Sequence, residues 1–353
     1  MAIYYLLFLS FAYFYILFSK VTICGNDRII RSCIYGGAIL CLLAFRHPSM
    51  GIDLGYGGFG GYLGSFQYIS SLSFSQVIAL PSFLNYEKGY VFFNWFLGFF
   101  GNNYQILLIA CAIVSIVPII ILFYKESESI ELSYIIYLSL QSFLICFSGL
   151  RQGISVGICM IAFLFIQEHR YKIFVILVFL AMSFHSSAVL FFLAYPLYYI
   201  KISKKGRWIS VVAIILTFAL KIPLFNVLSK VFKSNVQIQE TGAFTFFCIF
   251  SLIYVFCFLF AEENEKNNGM LNLVLIACFL TSFSGVYSIA MRTSYYFMNM
   301  MPLILPATLK NINNKYFSLS TKLVVVLAFG LFALNSYYSS SWAKSYPYIF
   351  FWN

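Results

Sequence analysis

Charge is scarce in this chain: Asp, Glu, Lys and Arg together make up 9% of its 353 residues. A soluble domain carries about a quarter charged residues, because its surface must be wetted. That class is excluded. Histidine occurs only three times, and the nine cysteines (24, 33, 41, 111, 146, 159, 248, 257 and 278) include no C-x-x-C pair and no histidine at metal spacing. Most of these thiols lie within apolar runs, where they act as small hydrophobes, so neither a disulfide framework nor a metal centre is expected. There is no D-x-D triplet, no internal repeat and no low-complexity linker. The net charge of +11 does not point to nucleic acid. The basic residues sit between apolar runs rather than in a stripe with interleaved aromatics, which is how a membrane protein sets its orientation.

What the chain has is hydrophobic sequence, 62% of residues with a mean hydropathy of +0.89. It comes in runs of roughly 20 residues, the length that crosses a bilayer. Without water in the bilayer core the backbone must satisfy itself, which only helices and closed barrels achieve. The runs do not alternate apolar and polar over about ten residues, so the barrel is excluded. The fold expected is all-α, a polytopic transmembrane bundle of about 11 to 13 hydrophobic segments in one integral membrane domain. The segments are 2–19, 30–46, 88–101, 104–124, 132–149, 152–167, 172–184, 186–200, 208–225, 244–261, 270–290, 294–309 and 323–340. Residues 2–19 lack a basic leader and a small-residue cleavage site and read as a retained helix. The stretch 172–200 is too long for one span and reads as two helices meeting at a turn around His185. The 88–101 segment is short, either a span or a re-entrant half-helix.

Placing loops 20–31, 125–131, 168–172, 201–207, 262–269 and 310–322 in the cytoplasm puts fourteen of the 22 Lys and Arg inside. Eight remain outside, the direction the positive-inside rule favours. The longest gap, 47–87, is then an outer loop rich in Gly and Tyr, with 66–80 expected as a helix lying in the interface. A second outer loop spans 226–243.

Under that orientation few ionisable groups face outward away from solvated loops. Arg46 and Asp53 lie in AFRHPSMGIDLGY, Glu87 in NYEKGY, Arg151 in SGLRQG, His185 in FHSSA and Arg292 in AMRTSYY. Charges at membrane depth are costly and usually retained for a task. Each residue has a structural reading too. Arg46 could cap a helix or snorkel to headgroups, Asp53 and Glu87 could pair with cations, and His185 could be a hydrogen-bonded turn residue. Arg151 and Arg292 have too little loop around them to reach water freely. Several arginines beside a few acids suit a phosphate-bearing lipid, because the planar guanidinium matches phosphate oxygens two at a time. Such a clamp stabilises a departing pyrophosphate without a metal, and a carboxylate or His can take a proton from a sugar hydroxyl.

The order AFR…GID, YEKGY, FSGLRQGISVGICMIAF, FHSSAVL and MRTSYYF over residues 44–300 resembles the EpsG family of polysaccharide polymerases, relatives of the Wzy-type O-antigen polymerases. The GLRQG and FHSSA segments carry most of the likeness. The resemblance implies a glycosyltransferase of O-antigen, capsule or exopolysaccharide synthesis in the bacterial inner membrane, active at the periplasmic face without cofactor or metal. It would move a growing glycan from undecaprenyl pyrophosphate onto a lipid-linked repeat unit. Partners implied are that lipid-linked oligosaccharide, membrane lipids and a chain-length regulator protein. Carried onto these motifs, Arg151, Arg292 and Arg46 would serve pyrophosphate, and Glu87, Asp53 and His185 the transfer itself. The Gly/Tyr loop and the 226–243 loop would meet the glycan. A flippase of lipid-linked sugars and a glycan ligase are the competing readings. A transporter would be expected to show pseudo-symmetry and midplane polar groups, whereas a ligase would share the donor and the arginines.

Overall fold

A computed structural model of the chain describes residues 2–18, 27–57, 60–79, 86–231 and 244–353. Cys24, Lys20, Lys233 and most of the 226–243 loop lie outside these residues. The described residues form 18 α-helices and no strand, with a single antiparallel bridge between Arg46 and Phe350. They divide into two compact units, residues 1–189 with 321–353, and residues 190–320.

In the first unit the helices are α1 (Ala2–Phe18), α2 (Asp27–Ala44), α3 (Gly61–Ser70), α4 (Phe74–Ala79), α5 (Lys88–Gly98), α6 (Tyr104–Glu126), α7 (Ile130–Ser139), α8 (Gln141–Ser148), α9 (Leu150–Gln167) and α10 (Tyr171–Met182). Helix α6 begins at Asn103, whose side chain accepts the Gln105 N–H and so satisfies one of the open donors of the first turn. It packs between α2 and α9, and α9 in turn packs on α10. The α6–α9 contact is close because α9 offers Gly153 and Gly157 on one face. A Cβ at 157 would meet the Val114 and Ser115 carbonyls at 2.8 and 3.0 Å. Small residues four apart are how membrane helices bring their backbones together.

The expected 132–149 span is broken. Leu140 has extended backbone (φ −79°, ψ 147°), and α7 and α8 meet there at 60°. Every residue of both halves is buried, so protein surrounds the break and satisfies the backbone it frees, as membrane-depth irregularity requires.

The second unit holds α11 (Ala194–Tyr198), α12 (Lys204–Ala219), α13 (Lys221–Val231), α14 (Phe244–Phe260), α15 (Glu265–Ser282), α16 (Ser288–Met298) and α17 (Met301–Lys310). Helix α18 (Lys315–Ser339) starts here and from residue 321 belongs to the first unit. Helices α11, α12, α14, α16 and α17 pack around α15, whose Asn272 donates to the carbonyls of Leu197 and Ile200 at 2.7 and 2.8 Å, closing the end of α11.

Helices cover the expected apolar segments, but among the described residues three (α6, α9 and α18) are long and apolar enough to cross a bilayer, or five if the bent pairs α7–α8 and α12–α13 each count as one span. Several segments are divided rather than continuous. The 208–225 segment turns by 81° between α12 and α13, and 294–309 is shared by α16 and α17, with Pro302 in the first turn of the second. The 66–80 stretch is likewise two short helices, α3 and α4. The 172–200 stretch does divide at Ser183–His185, but its second half opens as a 3-10 helix over Ser186–Leu193.

Candidate active site

The site is built on the first turn of α9. Gly149 precedes the helix and Arg151 is its second residue. The Arg151 Nη1 donates to Glu87 Oε2 at 2.5 Å and its Nε to the Tyr62 hydroxyl at 3.3 Å. The guanidinium lies 4.6 Å from the Tyr86 ring centroid and 5.8 Å from that of Tyr62, within reach of the attraction between a cation and an aromatic face. Arg151 and Glu87 side chains are 19% and 20% exposed. This is neither a solvated surface pair nor a sealed one, and a ligand can reach it.

Glu87 immediately precedes α5. Its second oxygen, Oε1, accepts the Ser186 backbone N–H at 2.9 Å, so both carboxylate oxygens are engaged. Burial alone would raise its pKa, but the Ser186 and Glu87 backbone N–H groups, Arg151 and His185 outweigh burial and hold it below the ordinary carboxylate range. The start of α5 rests on the turn after α10, where the Tyr90 N–H donates to the Ser183 carbonyl at 3.2 Å. Gly89 makes that approach possible, since a Cβ there would collide with the Ser183 hydroxyl and meet the Ser183 carbonyl oxygen at 2.7 Å and Cβ at 2.8 Å. YEKGY and FHSSA are therefore packed on each other. In the latter, His185 Nδ1 is 2.7 Å from the Ser187 hydroxyl and receives the Ser187 N–H at 3.4 Å.

The first motif packs against the α8–α9 junction from another side. Gly51 adopts φ +110°, a conformation that glycine alone takes readily, and a Cβ there would collide with the Phe147 carbonyl. The Asp53 N–H donates to the Ser148 hydroxyl at 3.1 Å, while the residue itself is exposed. Arg46 is buried at 1% exposure. Its guanidinium donates to the carbonyls of Leu43 and Phe147, each at 3.3 Å, and lies 5.1 Å from the Phe147 ring. Gln105 donates to the Ala44 carbonyl just before it. From the other side the 345–353 segment closes over the motif: the His47 N–H donates to Ile349 O at 2.8 Å, the Phe351 N–H to Phe45 O at 3.0 Å and the Tyr348 hydroxyl to Leu42 O at 2.8 Å.

Five of the six expected site residues thus belong to one unit. Arg151, Glu87 and the His185 turn meet directly, and Arg46 and Asp53 reach the same junction through Phe147 and Ser148. Arg292 is on α16 in the second unit and is exposed. Sequence reasoning did not single out Tyr86 or Ser148. The signal for Tyr86 was its place beside Glu87 in the motif; Ser148 acts through a single hydroxyl and gave none. Tyr62, expected to serve the glycan as part of the Gly/Tyr loop, stacks on Tyr86 at 5.7 Å and faces the arginine.

Apolar helices of spanning length, with a cluster of charge on the first turn of one of them, define a multi-pass α-helical membrane protein. The EpsG family model matches residues 29–350. The chain belongs to the EpsG family, and the matched region includes all six candidate residues. That membership supports a general role in polysaccharide synthesis, of the polymerase or glycosyltransferase type. No curated protein and no solved structure matches the chain.

Proposed function

We propose that this protein is a polysaccharide polymerase of the bacterial inner membrane that transfers a growing glycan, at the periplasmic face, from undecaprenyl pyrophosphate to the sugar of a lipid-linked repeat unit. The observation that carries the reading is Arg151, a permanently charged fork on the first turn of a spanning helix, oriented by Glu87 and two tyrosine rings yet partly open.

In the reaction a sugar hydroxyl oxygen attacks the anomeric carbon, the bond from that carbon to the pyrophosphate oxygen breaks, and the hydroxyl proton passes to a base. Negative charge builds on the pyrophosphate as it leaves, which is where a preorganised guanidinium acts most strongly. Glu87, both of whose oxygens are engaged and whose ionised form is favoured, is suited to orienting Arg151 rather than to taking a proton. Asp53, exposed on a short 3-10 turn (Ile52–Leu54) held by Ser148, is assigned as the base. His185 orients sugar or phosphate oxygen. Buried Arg46 acts as a positioning residue, holding the Phe147 carbonyl beneath the junction. Arg292 is assigned to pyrophosphate by its family motif alone. Because a guanidinium supplies the positive charge, the transfer is assigned as metal-independent, and a chelator is expected to leave it intact.

The test is a glycan ladder from a polymerase-null host of matching serotype carrying the parent chain or its Arg151→Ala form. A ladder restored by the parent and lost in a stably inserted variant supports polymerisation at Arg151. A single repeat unit in both rejects it in favour of ligation or transport.

A further inference from the structure

His47 stands next to Arg46, but its side chain has surroundings of its own. Its Nδ1 receives the Ser49 backbone N–H at 3.1 Å and lies 2.8 Å from the Ser49 hydroxyl. A backbone N–H can only donate, so Nδ1 is the acceptor and the ring hydrogen of the tautomer is on Nε2. The main chain at His47 is fixed by Ile349, as described above. The imidazole is half-buried and meets the Tyr56 ring edge-on, 5.0 Å between centroids at 73°. Tyr56 is 51% exposed and is followed by Tyr104 at 6.5 Å. Asp53, three residues before Tyr56, is exposed on the 3-10 turn that Ser148 holds. Ser148 in turn lies three residues ahead of Arg151.

A saccharide presents apolar C–H faces and a rim of hydroxyls. It is bound by aromatic rings against the faces and by a few fixed donors and acceptors at the rim. We propose that His47, Tyr56 and Asp53 form a saccharide subsite beside the α8–α9 junction, with His47 Nε2–H donating to a hydroxyl oxygen of the acceptor sugar. This deepens the glycosyl-transfer reading and rests on it. In His185-Ser-Ser187, as in His47-Pro-Ser49, the N–H of the serine two residues on donates to Nδ1. The His47 imidazole is thus a donor held in a fixed orientation.

The experiment compares ladders made by the full chain and its variants in the polymerase-null host, at limiting and at raised supply of the lipid-linked repeat unit, with membrane level measured for each. Glutamine places an N–H where Nε2 stands, whereas asparagine is a methylene short. His47→Gln is expected to stay within about threefold of the parent, and His47→Asn to lose about tenfold at limiting supply, the worth of one neutral hydrogen bond. Raised supply restores the Asn variant, as a binding defect requires. Tyr56→Ala loses about tenfold, the loss being relieved in the same way. Equal activity of His47→Asn and the parent at limiting supply overturns the subsite. So does a loss that raised supply leaves untouched, because it marks a merely structural histidine. If His47→Asn does not reach the membrane, Tyr56→Ala decides, since its ring is exposed and removing it spares the core. A parent chain that builds no ladder overturns the transfer reading itself; a parent ladder that no variant changes overturns the subsite alone.

Discussion

Arg151 Nη1 lies 2.5 Å from Glu87 Oε2, and the other oxygen of that carboxylate takes the Ser186 N–H at 2.9 Å. One side chain therefore ties the first turn of α9 to the turn that follows α10. It also neutralises a cation that the membrane would otherwise penalise.

Substitutions at this pair separate charge from geometry. Arg151→Ala is expected to reduce glycan lengthening by about 100-fold or more, the usual effect of losing a preorganised donor. Arg151→Lys keeps the charge but not the planar fork and should still lose about tenfold. Glu87→Gln leaves an acceptor for Ser186 but removes the counter-charge, so Arg151 loses its orientation and lengthening falls by about tenfold. Densitometry of the ladder, normalised to membrane protein level, measures all three.

Stability should depend on pH through Glu87. Its carboxyl is held below the ordinary range in the folded chain, so its contribution is complete above the unfolded carboxylate value and disappears as the pH falls through the folded one. Thermal unfolding in detergent should show a transition that drops on acidification below about pH 5. The Glu87→Gln variant should show a flatter acid limb. An identical acid limb in both proteins would mean that other carboxylates carry the effect.

Gly89→Ala tests the contact between YEKGY and the Ser183 turn. The added methyl would press on the Ser183 carbonyl and Cβ, and backbone cannot move aside cheaply. A destabilisation of about 1–3 kcal/mol is expected, and the Ser183→Ala exchange should relieve only part of it, because it removes the nearest atom, the Ser183 hydroxyl, but leaves the carbonyl and Cβ. Melting temperatures of the single and double variants decide the matter.

The 345–353 segment offers a fourth test. Tyr348→Phe removes one hydrogen bond to the Leu42 carbonyl and should cost about 0.5–1.5 kcal/mol. Deleting residues 346–353 removes in addition the bonds to His47 and Phe45. This deletion leaves every helix in place, so insertion should be normal while the ladder is lost. Normal ladder length in the truncated chain would show that the first motif needs no such support.

Much of this architecture is legible from hydrophobic patterning. Helices α1, α6 and α9 follow their apolar runs closely, because a run of that kind has no other way to satisfy its backbone in lipid, whereas α18 begins at Lys315, inside the expected 310–322 loop. The breaks are not legible. Leu140 is apolar and carries no breaker signal of its own, and its extended backbone lies among residues buried on both sides. The 81° turn between α12 and α13 falls inside the expected 208–225 segment, beside the exposed Leu220. At the site, the polar residues were visible because charge is rare here, but their pairing was not. Glu87 and Arg151 are 64 positions apart, and nothing local joins them. Arg46 shows the limit most clearly. Its partners are backbone carbonyls, which every sequence possesses everywhere, so no residue type marks them.

The support beneath the first motif also bears on the order in which the molecule assembles. Leu42 and Tyr348 are hydrogen-bonded across 306 positions. During translation the segment that covers Arg46 leaves the ribosome some three hundred residues after it. Contacts of that separation form last and set the pace of maturation. A nascent chain thus carries its motifs in the membrane well before the α8–α9 junction is braced on every side.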